Sequence, residues 1–244
     1  MSHAPAIYAQ RQIGNVQVIA TSRLGGHSSG VYAELNLGAH VGDNLDAVTA
    51  NRDEVRSLIE ASNLKFMTQY HSNVVHQVTK DSPLLEGDGL VTTETELALA
   101  AFGADCVTFA LVDTQHGVIA AGHSGWKGLA VGLPDAIVHE FFRAGASPEH
   151  SKAVIAPAIC GQCYEVSAER VAELRPLCPE AILDDRHIDV TAGVVAVLTG
   201  YNIACDVMPG CTFEDPNLYS FRRDGVTGRS ALVVVIHPDL DDAA

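Results

Sequence analysis

The chain has 244 residues, of which 47% are hydrophobic and 18% are charged, and it carries a formal net charge of −15. A chain of this length and hydrophobicity is expected to fold as a globular protein rather than to remain disordered. Only 15 Lys and Arg stand against 30 Asp and Glu, so the chain lacks the positive charge with which proteins bind nucleic acid or an anionic membrane, and we expect neither partner.

The sequence also indicates in which cellular compartment the protein is expected. Its longest apolar runs, 97–104 and 231–236, are far shorter than the roughly 18 to 20 residues that span a bilayer. The N-terminal segment has no basic leader followed by an apolar core, so we expect a cytoplasmic protein. Six cysteines are too few for a disulfide framework, and in a reducing compartment they are expected to be thiols.

The hydrophobic pattern predicts strands and helices in an order that is typical of an α+β protein. In chain order we expect a strand at 16–20, a helix at 46–62 with Asp46 as N-cap, strands at 74–78, 89–92, 106–112 and 117–121, a helix at 128–143 interrupted near Pro134, a strand at 152–156, helices at 168–177 and 191–201, and a strand at 231–236. No linker or repeat divides the chain, so one domain over 1–244 is predicted.

Three segments place a soft metal ligand beside small or turn-forming residues. They are QYHSNVVH around His71, FGADCVTF around Cys106 and AGHSGWKG around His123, and the three ligands are 35 and 17 residues apart. Each lies near the end of a predicted strand, and strand ends at one edge of a sheet converge in space. Three protein ligands with a fourth position open are typical of catalytic zinc.

Spacing alone does not decide for a metal. A single buried Cys is more often a small hydrophobic residue, and a single His is more often a surface residue or a hydrogen-bonded core residue. Cys160 and Cys163 form a C-x-x-C without a second pair, which indicates a turn, and the remaining three cysteines are expected to be structural.

Two glycine-containing loops concentrate arginine in this acidic chain. Arg222 and Arg223 lie in YSFRRDGVTGR near the C-terminal end, and Arg23 lies in TSRLGGHSSG near the start. Guanidinium groups on such loops suit a phosphate or a carboxylate, although a solvated basic turn has the same composition.

Seven motifs, in order along nearly the whole chain, resemble the YfiH family, which is also called the polyphenol oxidoreductase laccase, purine nucleoside phosphorylase or peptidoglycan editing factor family. The motifs are TSRLGGHSSGVYAELNLGAHVGDN, QYHSNVVH, DGLVT, GADC, AGHSGWKG, IAPAICGQCYEV and YSFRRDGVTGR. The resemblance implies a single α+β domain, with mixed β-sheets in a layered sandwich flanked by helices. It also implies that His71, Cys106 and His123 bind a metal.

The activity implied by the resemblance is cleavage of adenosine, inosine and methylthioadenosine by phosphate, together with adenosine deamination. Zinc is the expected metal, and copper is the second candidate. Asp105 and Cys106 are the catalytic candidates, with Asp105 orienting a ligand. The candidates for binding substrate or phosphate are Arg23, Lys127, Arg222 and Arg223. Family members usually have Arg where this chain has Lys127, a change that keeps the charge and loses the bidentate fork.

Other functions remain open at this point. Earlier family members were described as copper laccases, but this chain has 11 histidines without a His-x-His pair, which disfavours a multicopper oxidase. Cys106 could instead be a thiolate nucleophile with His123 as its base, as in a cysteine hydrolase. The family is also linked to peptidoglycan editing. A non-catalytic binding module is disfavoured, because an open three-ligand site is typical of catalytic zinc.

Overall fold

The computed structural model describes residues 6–238. The strands of this part of the chain are β1 (Ile7–Ile13), β2 (Val16–Thr21), β3 (Asn63–Lys65), β4 (Met67–Thr68), β5 (Val75–Gln77), β6 (Leu85–Glu86), β7 (Gly89–Thr92), β8 (Leu97–Gly103), β9 (Val107–Asp113), β10 (Val118–Ser124), β11 (Ser151–Ile155), β12 (Ala204–Val207) and β13 (Ser230–Ile236). The α-helices are α1 (Leu45–Leu58), α2 (Trp126–Ala130), α3 (Leu133–Arg143), α4 (Ala168–Leu174), α5 (Val190–Gly200) and α6 (Phe221–Asp224). Short 3₁₀ turns occur at Gly30–Tyr32, Ala39–Val41, Pro148–His150 and Pro179–Ala181.

Most of these strands form two mixed sheets. The five-stranded sheet has the order β1-β2-β13-β8-β3, and the six-stranded sheet has the order β12-β11-β9-β10-β7-β5. Within them, β3 with β8, β11 with β12 and β5 with β7 are the parallel pairs, and the other neighbours are antiparallel. Strands β4 and β6 form a small separate pair.

The two sheets pack face to face because their central strands are apolar on both sides. In β9 every residue is buried, and alternate side chains point to opposite faces of the sheet. Ala110 and Val112 pack against the five-stranded sheet, whereas Phe109 and Leu111 pack against the helices. Helices α3, α4 and α5 cover the outer face of the six-stranded sheet, and α1 covers part of the other sheet. This arrangement of layers confirms the predicted α+β sandwich.

The structure corrects the N-cap of one predicted helix and divides another. Helix α1 begins at Leu45, and its N-cap is Asn44, whose side-chain oxygen accepts hydrogen bonds from the amides of Asp46 and Ala47. The prediction that Asp46 is the cap is therefore wrong. The helix expected at 128–143 is divided into α2 and α3 at Gly132, where φ is 79°. Pro134 then lies in the first turn of α3, where proline costs no hydrogen bond.

Several strands were not predicted. The apolar run 97–104 contains β8, an interior strand of the five-stranded sheet, whose Ala- and Leu-rich sequence lacks the β-branched residues found in β9. Strand β1 is an edge strand with polar residues, and β12 is largely exposed. Among the helices of residues 6–238, none combines the length and the apolar character that a bilayer crossing requires.

Candidate metal centre

Strand register brings the three predicted ligands to one edge of the six-stranded sheet. Ser124 near the end of β10 pairs with Val107 at the start of β9, and Gly122 pairs with Gly89 at the start of β7. Gly89 in turn pairs with Val75 at the start of β5. The segments before β5 and β9 and the end of β10 therefore meet, although they are far apart in sequence.

The donor atoms of His71, Cys106 and His123 all lie within 4.8 Å of one another. Cys106 directly precedes β9, His123 lies in β10, and His71 lies in the loop between β4 and β5 rather than at a strand end. The Cys106 Sγ is 3.6 Å from the His71 Nε2, and the two imidazole rings are 4.9 Å apart at a steep angle of 74°. Two nitrogens and a sulfur thus converge on one point.

Asp88, which sequence reasoning did not single out, organises this cluster. Its fully buried carboxylate forms a hydrogen bond with the His123 Nδ1 at 2.8 Å. The Nε2 of that ring is therefore the atom left to bind a metal. The same carboxylate accepts hydrogen bonds from the backbone amides of His71 at 3.1 Å and Ser72 at 2.6 Å. These bonds hold the left-handed backbone of His71, where φ is 64°. The sequence feature that could have indicated Asp88 is its position as the first residue of the DGLVT motif, directly before a buried strand.

The electrostatics of the cluster favour a thiolate. Burial opposes ionisation of the Cys106 thiol, but hydrogen bonds from His123 and His71 outweigh it and lower the pKa of Cys106 to about 6. Burial likewise opposes charge on His123, yet the contacts with Asp88 and Cys106 raise its pKa to about 9. A thiolate is the form of cysteine that binds metals.

The residues present fit a divalent metal. Two imidazoles and one thiolate form a donor set that suits zinc or copper. The chain passes close beside the donors at Gly125, which follows β10: a Cβ there would lie 2.9 Å from both the Cys106 Sγ and the His71 Cδ2. A side chain at this position would press against the donor atoms, so this turn requires glycine.

Asp105 ties this edge of the sheet to the C-terminal loop. Its carboxylate accepts hydrogen bonds from the Thr212 Oγ1 at 2.7 Å and from the Arg222 backbone amide at 2.6 Å. Its own φ is 92°, a conformation that is unusual for a residue other than glycine. Asp105 thus anchors the loop that carries Arg222 next to Cys106.

Two of the four predicted phosphate-binding cations serve as internal braces. The Arg23 guanidinium donates to the Ala33 carbonyl through Nε and Nη2. The Arg223 guanidinium pairs with the Asp224 carboxylate, and it also donates to several backbone carbonyl groups. These carbonyls belong to Thr212, Phe213, Asp215 and Leu218. Both guanidinium groups hold the loops around the cluster in place.

The other two cations are exposed. Arg222 lies over the Tyr164 ring at 5.0 Å and donates to the Glu165 carbonyl at 2.6 Å. Lys127 lies in α2, which starts one residue after Gly125. Both side chains are more available to a ligand than those of Arg23 and Arg223.

Two further basic residues lie within electrostatic range of the cluster. Burial lowers the pKa of Arg229, and the charge of Cys106 acts on it in the opposite direction. Partial burial, together with the charges of Arg229, Arg52 and His123, lowers the pKa of His40. The sequence assigns no role to His40, whereas Arg229 is the third arginine of the YSFRRDGVTGR loop, although it is not among the four phosphate-binding candidates.

The fold and this cluster can be compared with known proteins. The sequence model of the family described as multi-copper polyphenol oxidoreductase laccase matches residues 17–237. The chain belongs to this family. A structure titled as the hypothetical protein YfiH of Bacillus licheniformis superposes with a TM-score of 0.84 at 29% identity, covering 91% of this chain and 92% of that one. A Neisseria meningitidis protein superposes with a TM-score of 0.87 at 29% identity, and the match covers 96% of this chain and 100% of that one. The resemblance to the YfiH family is therefore confirmed.

Curated relatives in this family carry an enzyme name. A purine nucleoside phosphorylase of Streptomyces coelicolor is 41% identical over 221 residues, which are 86% of this chain and 91% of that protein. A purine nucleoside phosphorylase of Corynebacterium glutamicum is 37% identical over 230 residues, which are 90% of this chain and 94% of that protein.

Proposed function

We propose that this protein is a zinc-dependent purine nucleoside phosphorylase that cleaves adenosine, inosine and methylthioadenosine with phosphate and also deaminates adenosine. The observation that carries the proposal is the convergence of His71, Cys106 and His123 within 4.8 Å. The name of the relatives, purine nucleoside phosphorylase, supports the phosphorolysis.

Each residue of the cluster has a separate task in this proposal. His71, Cys106 and His123 would hold the metal, and Asp88 would keep a proton on the Nδ1 of His123, which leaves Nε2 as a neutral donor. When bound, zinc supplies a Lewis acid that polarises oxygen and makes water more acidic, which is the chemistry that deamination needs.

In phosphorolysis, an oxygen of phosphate forms a bond to the anomeric carbon of ribose while the bond from that carbon to the purine breaks. The attacking group is an anion, so it needs cations that are exposed enough to reach it. Lys127 and Arg222 are both exposed, and we assign phosphate binding to them. Arg23 and Arg223 contribute by bracing the surrounding loops.

The test combines metal analysis with product chromatography. Protein purified without added metal is expected to contain zinc, and incubation with adenosine is expected to yield adenine only when phosphate is present, and inosine in either case. Cys106→Ala should lose one zinc ion per chain and both products. The matched control Cys205→Ala, on strand β12, should keep them. Adenine release without phosphate, or full activity in Cys106→Ala, would contradict the proposal.

A copper-dependent oxidation of polyphenols is a second candidate function, because the family description names it and two imidazoles with one thiolate also suit copper. Oxidation of a polyphenol by copper-loaded protein, with little phosphorolysis by zinc-loaded protein, would favour this function. A metal-free protein that is inactivated by alkylation of Cys106 alone would instead favour the cysteine-hydrolase hypothesis, including a peptidoglycan substrate.

A further inference from the structure

A second cluster of metal-binding residue types lies in two similar turns. The first turn is Cys160-Gly-Gln-Cys163, and its Cys163 amide donates to the Cys160 carbonyl at 3.0 Å. The second is Cys211-Thr-Phe-Glu214, whose Glu214 amide donates to the Cys211 carbonyl at 3.1 Å. Both turns therefore present a metal-ligating side chain at their first and fourth positions. The sequence shows C-x-x-C without a partner, and the fold supplies a C-x-x-E as that partner.

The backbone holds the two turns side by side. Ala158 and Cys211 form a parallel β-bridge, and the Thr212 amide donates to the Ala158 carbonyl at 3.1 Å. The Cys160 amide donates to the Cys211 Sγ at 3.3 Å. An amide that points at a sulfur stabilises the negative charge of a thiolate. The turns are thus fixed in register before any ligand binds.

The four side chains are close enough to share one ion. The three sulfurs of Cys160, Cys163 and Cys211 and a carboxylate oxygen of Glu214 all lie within 4.8 Å of one another. In a tetrahedral zinc site with a bond of about 2.3 Å from zinc to sulfur, neighbouring sulfurs are about 3.8 Å apart. The donors therefore need to approach one another by no more than about 1 Å.

We propose that Cys160, Cys163, Cys211 and Glu214 form a second, structural zinc site. Paired ligands spaced two residues apart on two turns are typical of closed structural zinc sites. A disulfide would use only two of the three thiols and would leave the third thiol and the carboxylate beside it. A divalent cation neutralises charge from all four groups. The site shares no ligand with the cluster of His71, Cys106 and His123, so it does not depend on the proposed function.

The second site would position Asp105. The Ile159 amide, one residue before Cys160, donates to the Asp105 carbonyl at 3.0 Å. Thr212, one residue after Cys211, donates to the Asp105 carboxylate at 2.7 Å. Zinc between the two turns would therefore fix the loops that hold Asp105. Because Asp105 directly precedes Cys106, the backbone at Cys106 would be fixed as well.

Zinc content per chain tests the proposal. Wild-type protein, purified with a reducing agent, is expected to hold two zinc ions, and Cys106→Ala one. Cys163→Ser, at a half-buried position, should hold one, and the double variant none. The matched control Cys205→Ser should hold two. A chelator should lower the Tm of Cys106→Ala but leave the Tm of the double variant unchanged.

Clear outcomes would overturn this site. Zinc content equal in wild type and Cys163→Ser, or no zinc in folded Cys106→Ala after zinc is supplied, contradicts it. A disulfide among the three cysteines in peptide mass spectra of freshly purified, non-reduced protein also contradicts it.

If Cys163→Ser does not fold, the variant Glu214→Gln, at an exposed position, is used instead. The affinity of Glu214→Gln for the second zinc should be lower than that of the wild type by at least about tenfold. Unchanged affinity in Glu214→Gln also counts against the site. If wild type holds one zinc, Cys106→Ala also one and Cys163→Ser none, the first centre fails while the second stands.

Discussion

At the scale of single residues, one carboxylate controls two ligands of the candidate metal centre. Asp88 is fully buried, and burial raises its pKa, but hydrogen bonds from His123 and Ser72 outweigh burial and lower the pKa to about 2. It therefore stays ionised at neutral pH. Its partners are the ring of one ligand and the backbone of another, so removal of its charge should affect both.

Asp88→Asn is expected to lower the affinity for zinc by about 10- to 100-fold, because the amide cannot accept the same hydrogen bonds from the His123 ring and the two backbone amides. Competition with a chromophoric chelator measures this affinity. Asp53→Asn changes a carboxylate that is 64% exposed and should bind zinc as the wild type does. Equal affinities in the two variants would mean that Asp88 does not support the ligands.

Neighbouring arginines are expected to differ in effect. Arg223→Met should lower the free energy of unfolding by about 2 kcal/mol or more, since several carbonyl groups lose a charged donor. Arg222→Met should leave the Tm nearly unchanged and raise the KM for phosphate more than that for the nucleoside. Thermal unfolding and initial rates at varied phosphate separate the two effects. An unchanged phosphate KM in Arg222→Met would show that this loop does not bind phosphate.

At the scale of elements, the junction between β10 and α2 passes directly beside the donor atoms of the metal centre. Gly125 caps α2, and its Cα faces the Cys106 Sγ and the His71 ring. His123 lies in the strand, and the helix starts three residues later at Trp126, so the chain turns directly beside the donors. Only a residue without a side chain fits this turn without filling the site.

Gly125→Ala is expected to lower zinc content sharply while the fold is kept, because the added methyl group would lie 2.9 Å from the Cys106 Sγ. Gly200→Ala is the control, since its methyl group would meet nothing within 4 Å at the end of α5. Metal analysis and circular dichroism of both variants check this expectation. Full zinc content in Gly125→Ala would place the metal elsewhere.

The turn between β9 and β10 depends on a second buried carboxylate. Asp113 accepts hydrogen bonds from the amides of His116 at 3.0 Å and Ser147 at 2.9 Å, and from the His116 ring at 2.8 Å. Burial raises its pKa, but these bonds outweigh burial and lower the pKa below the ordinary value. The stability that Asp113 contributes is therefore present above its unfolded pKa of about 3.9 and is lost as the pH falls through its lower folded pKa.

Asp113→Asn is accordingly expected to lower the Tm at pH 7 and to unfold with a weaker acid dependence than the wild type. The difference in Tm between the two proteins should shrink as the pH falls from about 5 toward 3. Thermal unfolding across this range measures it. A difference that stays constant with pH would mean that the charge of Asp113 does not contribute to stability.

At the scale of the whole molecule, the layer between the two sheets holds the site-bearing edge in place. Leu99 of β8 is fully buried and belongs to the apolar cluster that both sheets share. The strands that carry Cys106 and His123 rest on this layer from the other sheet. Its packing therefore supports the geometry of the centre without contacting it.

Leu99→Ala is expected to lower the free energy of unfolding by about 2 to 5 kcal/mol, because it leaves a cavity between the sheets. Leu84→Ala, at a side chain that is 69% exposed, should change it by less than about 1 kcal/mol. Denaturant midpoints give both values, and the folded fraction of Leu99→Ala should keep its zinc. A small effect at Leu99 would mean that the layer tolerates a cavity.

The sequence by itself determined the fold class and the identity of the three expected ligands. Apolar runs such as 106–112 and the glycine-rich turns predict strands and connections from local chemistry, and the motifs around His71, Cys106 and His123 are specific to one family. Strand β8 is not predicted because its sequence, LALAAFG, is rich in Ala and Leu, which favour a helix, and lacks the β-branched residues found in the equally buried β9.

Only the tertiary structure decided which groups meet. Asp88 reaches His123 across 35 residues through the pairing of β7 with β10, and Cys211 reaches Cys160 across 51 residues through a β-bridge between neighbouring segments. The structure also separated the braced Arg223 from the exposed Arg222, two adjacent residues of the same type. The physical reason is that strand register and hydrogen-bond partners are set by long-range pairing, which leaves no mark in local residue spacing.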